Sequence, residues 1–186
     1  MKKEIRIIGI DDASFDKFND KEVLVIGTIF RGGSFLDGVL STKVSVDGDD
    51  STNKLIDLIN KCKFKPQLQC IILDGIAFGG FNVLDIEKLN KKTEIPVIVV
   101  IRRMPDFKKI KNVLIKINKK EKIRLIEEAG SPIKINEIFV QFKGIDLDEV
   151  KEILRISCTR SLIPEPIRVA HLIGQGLYFG ESKGRA

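Results

Sequence analysis

Three β-rich runs, residues 4–10 (EIRIIGI), 22–30 (EVLVIGTIF) and 38–46 (GVLSTKVSV), follow one another with only short Asp-, Asn- or Gly-containing segments between them. Connections that short join antiparallel neighbours, so the chain predicts an opening three-stranded meander. Asp50, Ser51 and Thr52 then offer helix N-caps, and NKLIDLINKC places Leu55, Ile59 and Cys62 on one helical face. Lys54, Asp57 and Lys61 fall on the solvated side. Beyond this helix the pattern alternates: a strand at 70–74, a helix from about 83 to 92, a strand at 96–101 behind a proline, and a helix from about 105 to 118. Alternating strands and helices imply parallel strands added by crossovers. A short helix, a strand near 135–142, a helix from about 146 to 158 and a helical segment from Pro164 complete the chain. The expected architecture is one α/β domain over residues 1–186, a mixed five-stranded sheet of three antiparallel strands and then parallel ones, flanked by helices.

Composition excludes several classes. Apolar residues make up 43% and charged residues 31% of the 186, which is neither a disordered nor a membrane composition. No apolar run approaches the ~18 residues of a spanning helix. The Asp pair after IRIIGI comes too early for a signal-peptide core, so the expected location is cytoplasmic. Cys62, Cys70 and Cys158 are odd in number, lie in apolar segments and lack C-x-x-C spacing, as expected of reduced, buried thiols. The formal charge of +6 is compatible with a polyanionic partner without requiring one. The lysine-rich run at 108–124 is interleaved with Ile, Val and Leu and reads as the solvated face of amphipathic helices.

The strand ends carry the chemistry. Asp11 and Asp12 end the first strand, Asp47, Asp49 and Asp50 lie where the third meets a helix, and Asp74 ends the fourth in CIILDG. Taken singly, each reads as a turn or cap residue. With strand one central and strand four parallel beside it, however, Asp11 and Asp74 emerge at the same sheet edge. Carboxylates that close repel unless a cation sits between them, and oxygen ligands of this kind suit Mg²⁺, with Mn²⁺ as an alternative. Such ions activate water and stabilise the attacking and leaving oxygens of an in-line phosphodiester displacement. Side chains alternate along a strand, which favours Asp11 over Asp12 for the shared pocket. Arg102 and Arg103 follow strand 96–101 and reach the same edge, to grip a phosphate or to pair with a strand-end aspartate.

Other chemistries find little support. FRGGSFLDG lacks the ending of a phosphate-binding P-loop, and GIAFGG does not open a helix as a dinucleotide fingerprint does. Ser-His-Asp catalysis would need His171, the chain's one histidine, which lies in a helical run with no marked serine partner.

Three motifs carry a resemblance. IGIDD resembles the first strand of endonuclease V, CIILDG its Asp-Gly motif, and SLIPEPIRVAHLIG its C-terminal Pro-Glu-Pro segment, in matching order along nearly the whole chain. VDGDDST and LDGIAFGGFN bring it closer to the archaeal endonuclease dU family. The resemblance implies a ribonuclease H-like, endonuclease V-like fold and Mg²⁺-dependent cleavage of DNA containing deaminated bases, in particular deoxyuridine. Carried over by motif, Asp11 and Asp74 are metal ligands. Asp49 or Asp50 stands where endonuclease V has a glutamate, and Arg102 replaces a lysine. The expected catalytic set is therefore Asp11, Asp50, Asp74 and Arg102.

The chain departs from endonuclease V in lacking its Pro-Tyr-Ile-Pro-Gly wedge and its His-Pro-Arg stretch, so inosine recognition is not carried over. Instead the glycine-rich turn with Gly75, Gly79 and Gly80 is expected to admit a flipped base, with Phe78 or Phe81 either stacking on it or buried in the core. Arg102 and Arg103 complete the expected nucleic-acid contacts. Glu165 and His171 sit in the C-terminal motif with site and helix-anchoring roles both open, and Pro164-Glu165-Pro166 suits a helix start. The alternative function is a non-catalytic nucleic-acid-binding module that retains the fold.

Overall fold

The computed structural model describes residues 4–182. The meander is present as β1 (Arg6–Asp12), β2 (Glu22–Arg31) and β3 (Phe35–Ser45), followed by α1 (Ser51–Asn60) and β4 (Leu68–Asp74). A small hairpin of β5 (Ala77–Phe78) and β6 (Asn82–Val83) leads to α2 (Ile86–Thr93) and β7 (Val97–Ile101). Next come α3 (Phe107–Lys116), α4 (Glu121–Glu128), β8 (Ile133–Ile135), β9 (Ile138–Lys143), α5 (Leu147–Ser157) and α6 (Glu165–Phe179). Among the described residues no helix is long and apolar enough to cross a membrane.

The main sheet has seven strands in the order β3-β2-β1-β4-β7-β9-β8, and this corrects the expectation of five. β1, β4 and β7 are parallel, as the alternating pattern implies, and β1 and β2 are antiparallel. The two additional strands come from the segment read as one strand at 135–142. Asn136 adopts a left-handed conformation (φ 51°), which turns the chain back and pairs Ile135 with Ile138. The resulting hairpin adds β9 antiparallel to β7.

The central strands are apolar on both faces because helices cover both. Ile8, Ile10, Ile71, Leu73, Val97 and Val99 point to one side, against Leu55 and Ile59 of α1 and Ile86 and Leu89 of α2. Ile7, Cys70, Ile72, Ile98 and Val100 point to the other, against Val150, Ile153 and Leu154 of α5 and Ile167 of α6. Successive residues thus enter opposite cores, a direct consequence of the two-residue strand period. A third cluster of Val83, Leu114 and Ile126 ties α3 and α4 to the small hairpin. All three cysteines are free thiols, with Cys62 and Cys70 buried.

Helix α6 crosses β1 at very close range. A Cβ on Gly9 would overlap the backbone of Pro166, and one on Gly174 would lie 3.0 Å from the Cα of Ala13. Thr28 on β2 donates its hydroxyl to the carbonyl of Pro166 at 2.6 Å, a buried bond worth about 1 kcal/mol. The Pro-Glu-Pro segment therefore both starts the helix and seats it in a notch above Gly9.

Candidate active site

The register of β1 and β4 brings two carboxylates together. Ile10 pairs with Leu73 in the parallel ladder, so the next residues, Asp11 and Asp74, stand side by side at the carboxyl ends of the two strands. Helix α6, fixed by the Gly9–Pro166 and Ala13–Gly174 contacts, lays His171 over the same point. One ligand atom from each of Asp11, Asp74 and His171 lies within 4.8 Å of the others. His171 Nδ1 is 2.8 Å from Asp11 Oδ2, and its Nε2 is 3.0 Å from the Gln175 amide nitrogen. Arg102, just past β7, pairs with Asp74 Oδ2 at 2.6 Å. These groups line an open groove of about 590 Å³, together with Asp12, Ala13, Ser14, Phe15 and Phe179.

The electrostatics are those of a crowded anionic edge. Asp11 is 5% exposed. Burial pushes its carboxyl up to about 7, reinforced by repulsion from Asp74 and Asp12 and only partly offset by the His171 hydrogen bond. Asp12 is raised too, chiefly by burial, although Gly79 N–H donates to its Oδ2 at 2.8 Å. His171 is raised by its hydrogen bond to Asp11. Two carboxylates and an imidazole around one point form a donor set that fits a divalent cation.

The remaining expected site residues lie elsewhere or are engaged differently. Asp50 accepts from Ser45 N–H and Oγ and from Asn82 Nδ2, which holds the β3–α1 connection. Burial raises its carboxyl, but these bonds outweigh burial and leave it below the usual carboxylate range. Asp49 pairs with Lys122 at 2.8 Å and Lys119 at 3.0 Å, and the Lys122 hydrogen bond lowers its pKa most. Neither carboxylate joins the Asp11–Asp74–His171 group. Of the two readings for Arg102, the structure shows the ion pair with a strand-end aspartate. Arg103 is exposed.

Phe78 is fully buried in the core beneath the β5–β6 hairpin, so its ring offers no face for stacking. Phe81 is half-buried, with the Lys17 ammonium 5.4 Å from its ring centroid. Gly75, Gly79 and Gly80 all have positive φ, at 92°, 54° and 85°. At Gly80 a Cβ would also collide with the Asp47 carboxylate, so the turn is specified by sterics as well as by dihedrals.

Two further residues take positions that their local sequence does not specify. His171 lies in the C-terminal motif that also seats α6 on β1, and of the site and helix-anchoring roles open to it the structure places it over the Asp11–Asp74 pair. Lys122 is 2% exposed and donates to the carbonyls of Asp47, Gly48 and Phe81, which clamps the β3–α1 connection and the small hairpin onto α4. The lysine-rich sequence around it gives no sign that this one amine is internal.

Known proteins resemble the chain over its full length. The family model "Endonuclease dU" matches residues 3–178. A UPF0215 protein of Methanothermobacter thermautotrophicus is 49% identical over 191 residues, covering 100% of this chain and 94% of that protein. Among solved structures, a protein of unknown function from Archaeoglobus fulgidus superposes with TM-score 0.88 at 36% identity, covering 94% of this chain and 98% of that one. Ciona intestinalis endonuclease V, solved in complex with a 24mer DNA containing an inosine followed by a ribo-adenosine, superposes with TM-score 0.56 at 20% identity, over 90% of this chain and 83% of that one. That likeness carries the fold, which is ribonuclease H-like and endonuclease V-like. The chain belongs to the Endonuclease dU family.

Proposed function

We propose that the protein is a Mg²⁺-dependent endonuclease, with Mn²⁺ an acceptable substitute, that nicks DNA containing deaminated bases, deoxyuridine foremost. The observation that carries this reading is the convergence of Asp11, Asp74 and His171 within 4.8 Å at the carboxyl edge of two parallel strands. Family membership and the endonuclease V likeness point to a nuclease, and the donor set supplies the chemistry.

Asp11 and Asp74 would hold the cation, which supplies a Lewis acid for the phosphodiester and an activated water when bound. His171 keeps Asp11 oriented through Nδ1 and holds a proton between the two groups. The Gln175 amide fixes the other side of the ring and so the imidazole's rotation. Arg102 stands beside Asp74 with about a third of its side chain exposed, and offers its outer nitrogens to a phosphate oxygen. Asp50, held by Ser45 and Asn82, shapes the neighbouring connection.

The engagement of Asp49 and Asp50 elsewhere favours a second reading, a nucleic-acid-binding module that keeps the fold and does not cut. End-labelled strands carrying a single uridine, inosine or ordinary base, incubated with Mg²⁺ or EDTA, separate the two. Metal-dependent nicking at uridine that is lost in Asp74→Asn supports the nuclease. Binding without cleavage of any strand supports the module and sinks the nuclease.

A further inference from the structure

Of the two aromatics expected near a base, Phe78 turns inward and Phe81 faces the Lys17 ammonium, yet the groove has an aromatic rim of its own. Leu177, Tyr178 and Phe179 in the last turn of α6 are 64%, 45% and 45% exposed. His171, Gln175 and Phe179 follow at four-residue spacing and so share one face of the helix. That face lines the groove holding Asp11, Asp74 and Arg102. Tyr178 meets Phe179 edge to face, with centroids 4.8 Å apart and planes at 86°, which braces the ring while leaving nearly half of it accessible. On the other flank of the helix end, Leu177 and Tyr178 line a second groove with Lys43, and the two grooves share Ala13, Ser14 and Phe15.

We propose that Phe179 is a stacking platform for one unstacked nucleobase of the strand whose phosphodiester lies at the Asp11–Asp74–His171 group. This rests on the nucleic-acid reading above and adds a base subsite to it. The chemistry suits that occupant: an aromatic face in the same groove as a phosphate-competent cluster and the Arg102 guanidinium. Base stacking on an aromatic ring is tolerant of base identity, so the platform takes purines and pyrimidines alike. Selection would then fall on whichever base leaves its duplex most cheaply, as mispaired and damaged bases do.

The test is fluorescence anisotropy on the whole protein, with Ca²⁺ in place of Mg²⁺ to slow cleavage. A labelled oligothymidylate is compared with a strand of the same length built from abasic sugar-phosphate. Phe179→Ser is expected to weaken the oligothymidylate roughly 5- to 150-fold while leaving the abasic strand within about twofold, and Phe179→Trp is expected to retain binding. Phe18→Ser, at an exposed aromatic that lines neither groove, is expected to change neither. Equal losses on both strands, or no loss, would overturn the platform. Wild-type binding that ignores the bases would overturn it while leaving the nuclease reading in place. Failure to bind any strand would remove both.

Discussion

His171 Nδ1 and Asp11 Oδ2 are 2.8 Å apart, although 160 positions of sequence separate them. The bond ties the last helix to the first strand at the point where Asp74 also arrives. His171→Ala should therefore impair metal use as well as turnover. We expect the Mg²⁺ concentration for half-maximal nicking to rise roughly 10- to 100-fold, with little change in melting temperature. Metal-titrated cleavage rates check this, and an unchanged Mg²⁺ requirement would contradict it.

Protonation of the same pair sets a pH dependence. The folded Asp11 carboxyl lies at about 7 against 3.8 for the ordinary group, so its contribution to stability is complete below about pH 4 and is lost as pH rises through about 7. His171, also raised, acts in the same direction: its contribution is present below its ordinary 6.5 and is lost as pH rises through the higher folded value. Metal-free protein should accordingly lose more stability between about pH 4 and about pH 7 than Asp11→Asn does. Saturating Mg²⁺ should reduce the wild-type loss, since the cation takes the proton's place. Parallel melting curves decide it, and identical pH slopes in wild type and variant would count against it.

Asp50 and Asp74 should separate stability from function. Asp50→Ala leaves the Asn82 amide and Ser45 N–H without their acceptor, at an expected cost of about 1–3 kcal/mol in urea unfolding, while Mg²⁺ still raises the melting temperature. Asp74→Asn should keep the fold and lose the Mg²⁺ response. The opposite pattern would move the metal to the β3–α1 connection.

Lys122 is predicted to be the costliest lysine to remove. Its ammonium satisfies three carbonyls and pairs with Asp49, so Lys122→Met should destabilise by about 2–4 kcal/mol. Lys108→Met, on an exposed side chain, should stay within about 0.5 kcal/mol. Similar urea midpoints for the two variants would remove Lys122 as the clamp.

The seat of α6 gives a fourth stability test. Gly9→Ala forces a methyl into the Pro166 backbone and should cost about 1–3 kcal/mol, whereas Gly27→Ala, whose nearest new contact is 3.4 Å, should cost less. Equal costs would mean that α6 shifts freely over β1.

Much of this was legible because local pattern and topology agreed. The meander, the crossover strands and the arrival of Asp11 and Asp74 at one edge all follow from strand-sized apolar runs and their connections. The pairing of Asp49 was not legible, because the lysines that engage it lie on or beside α4, 70 or more positions away. Stacking and burial both stayed open for Phe78 because a two-residue strand that folds a ring under a hairpin has no periodicity to read. The role of His171 stayed open because its partner lies across the fold, although the anchoring Pro-Glu-Pro motif beside it was already visible. The β8–β9 hairpin escaped because its turn rests on a single left-handed asparagine, Asn136.

The most direct test of the metal centre is a Mn²⁺ titration of metal-free protein, followed by electron paramagnetic resonance, in wild type, Asp11→Asn, Asp74→Asn and His171→Ala. The account predicts saturable binding in wild type that is lost in both aspartate variants and weakened in the histidine variant. Undiminished binding in Asp11→Asn and Asp74→Asn, or no saturable binding in wild type, would contradict it.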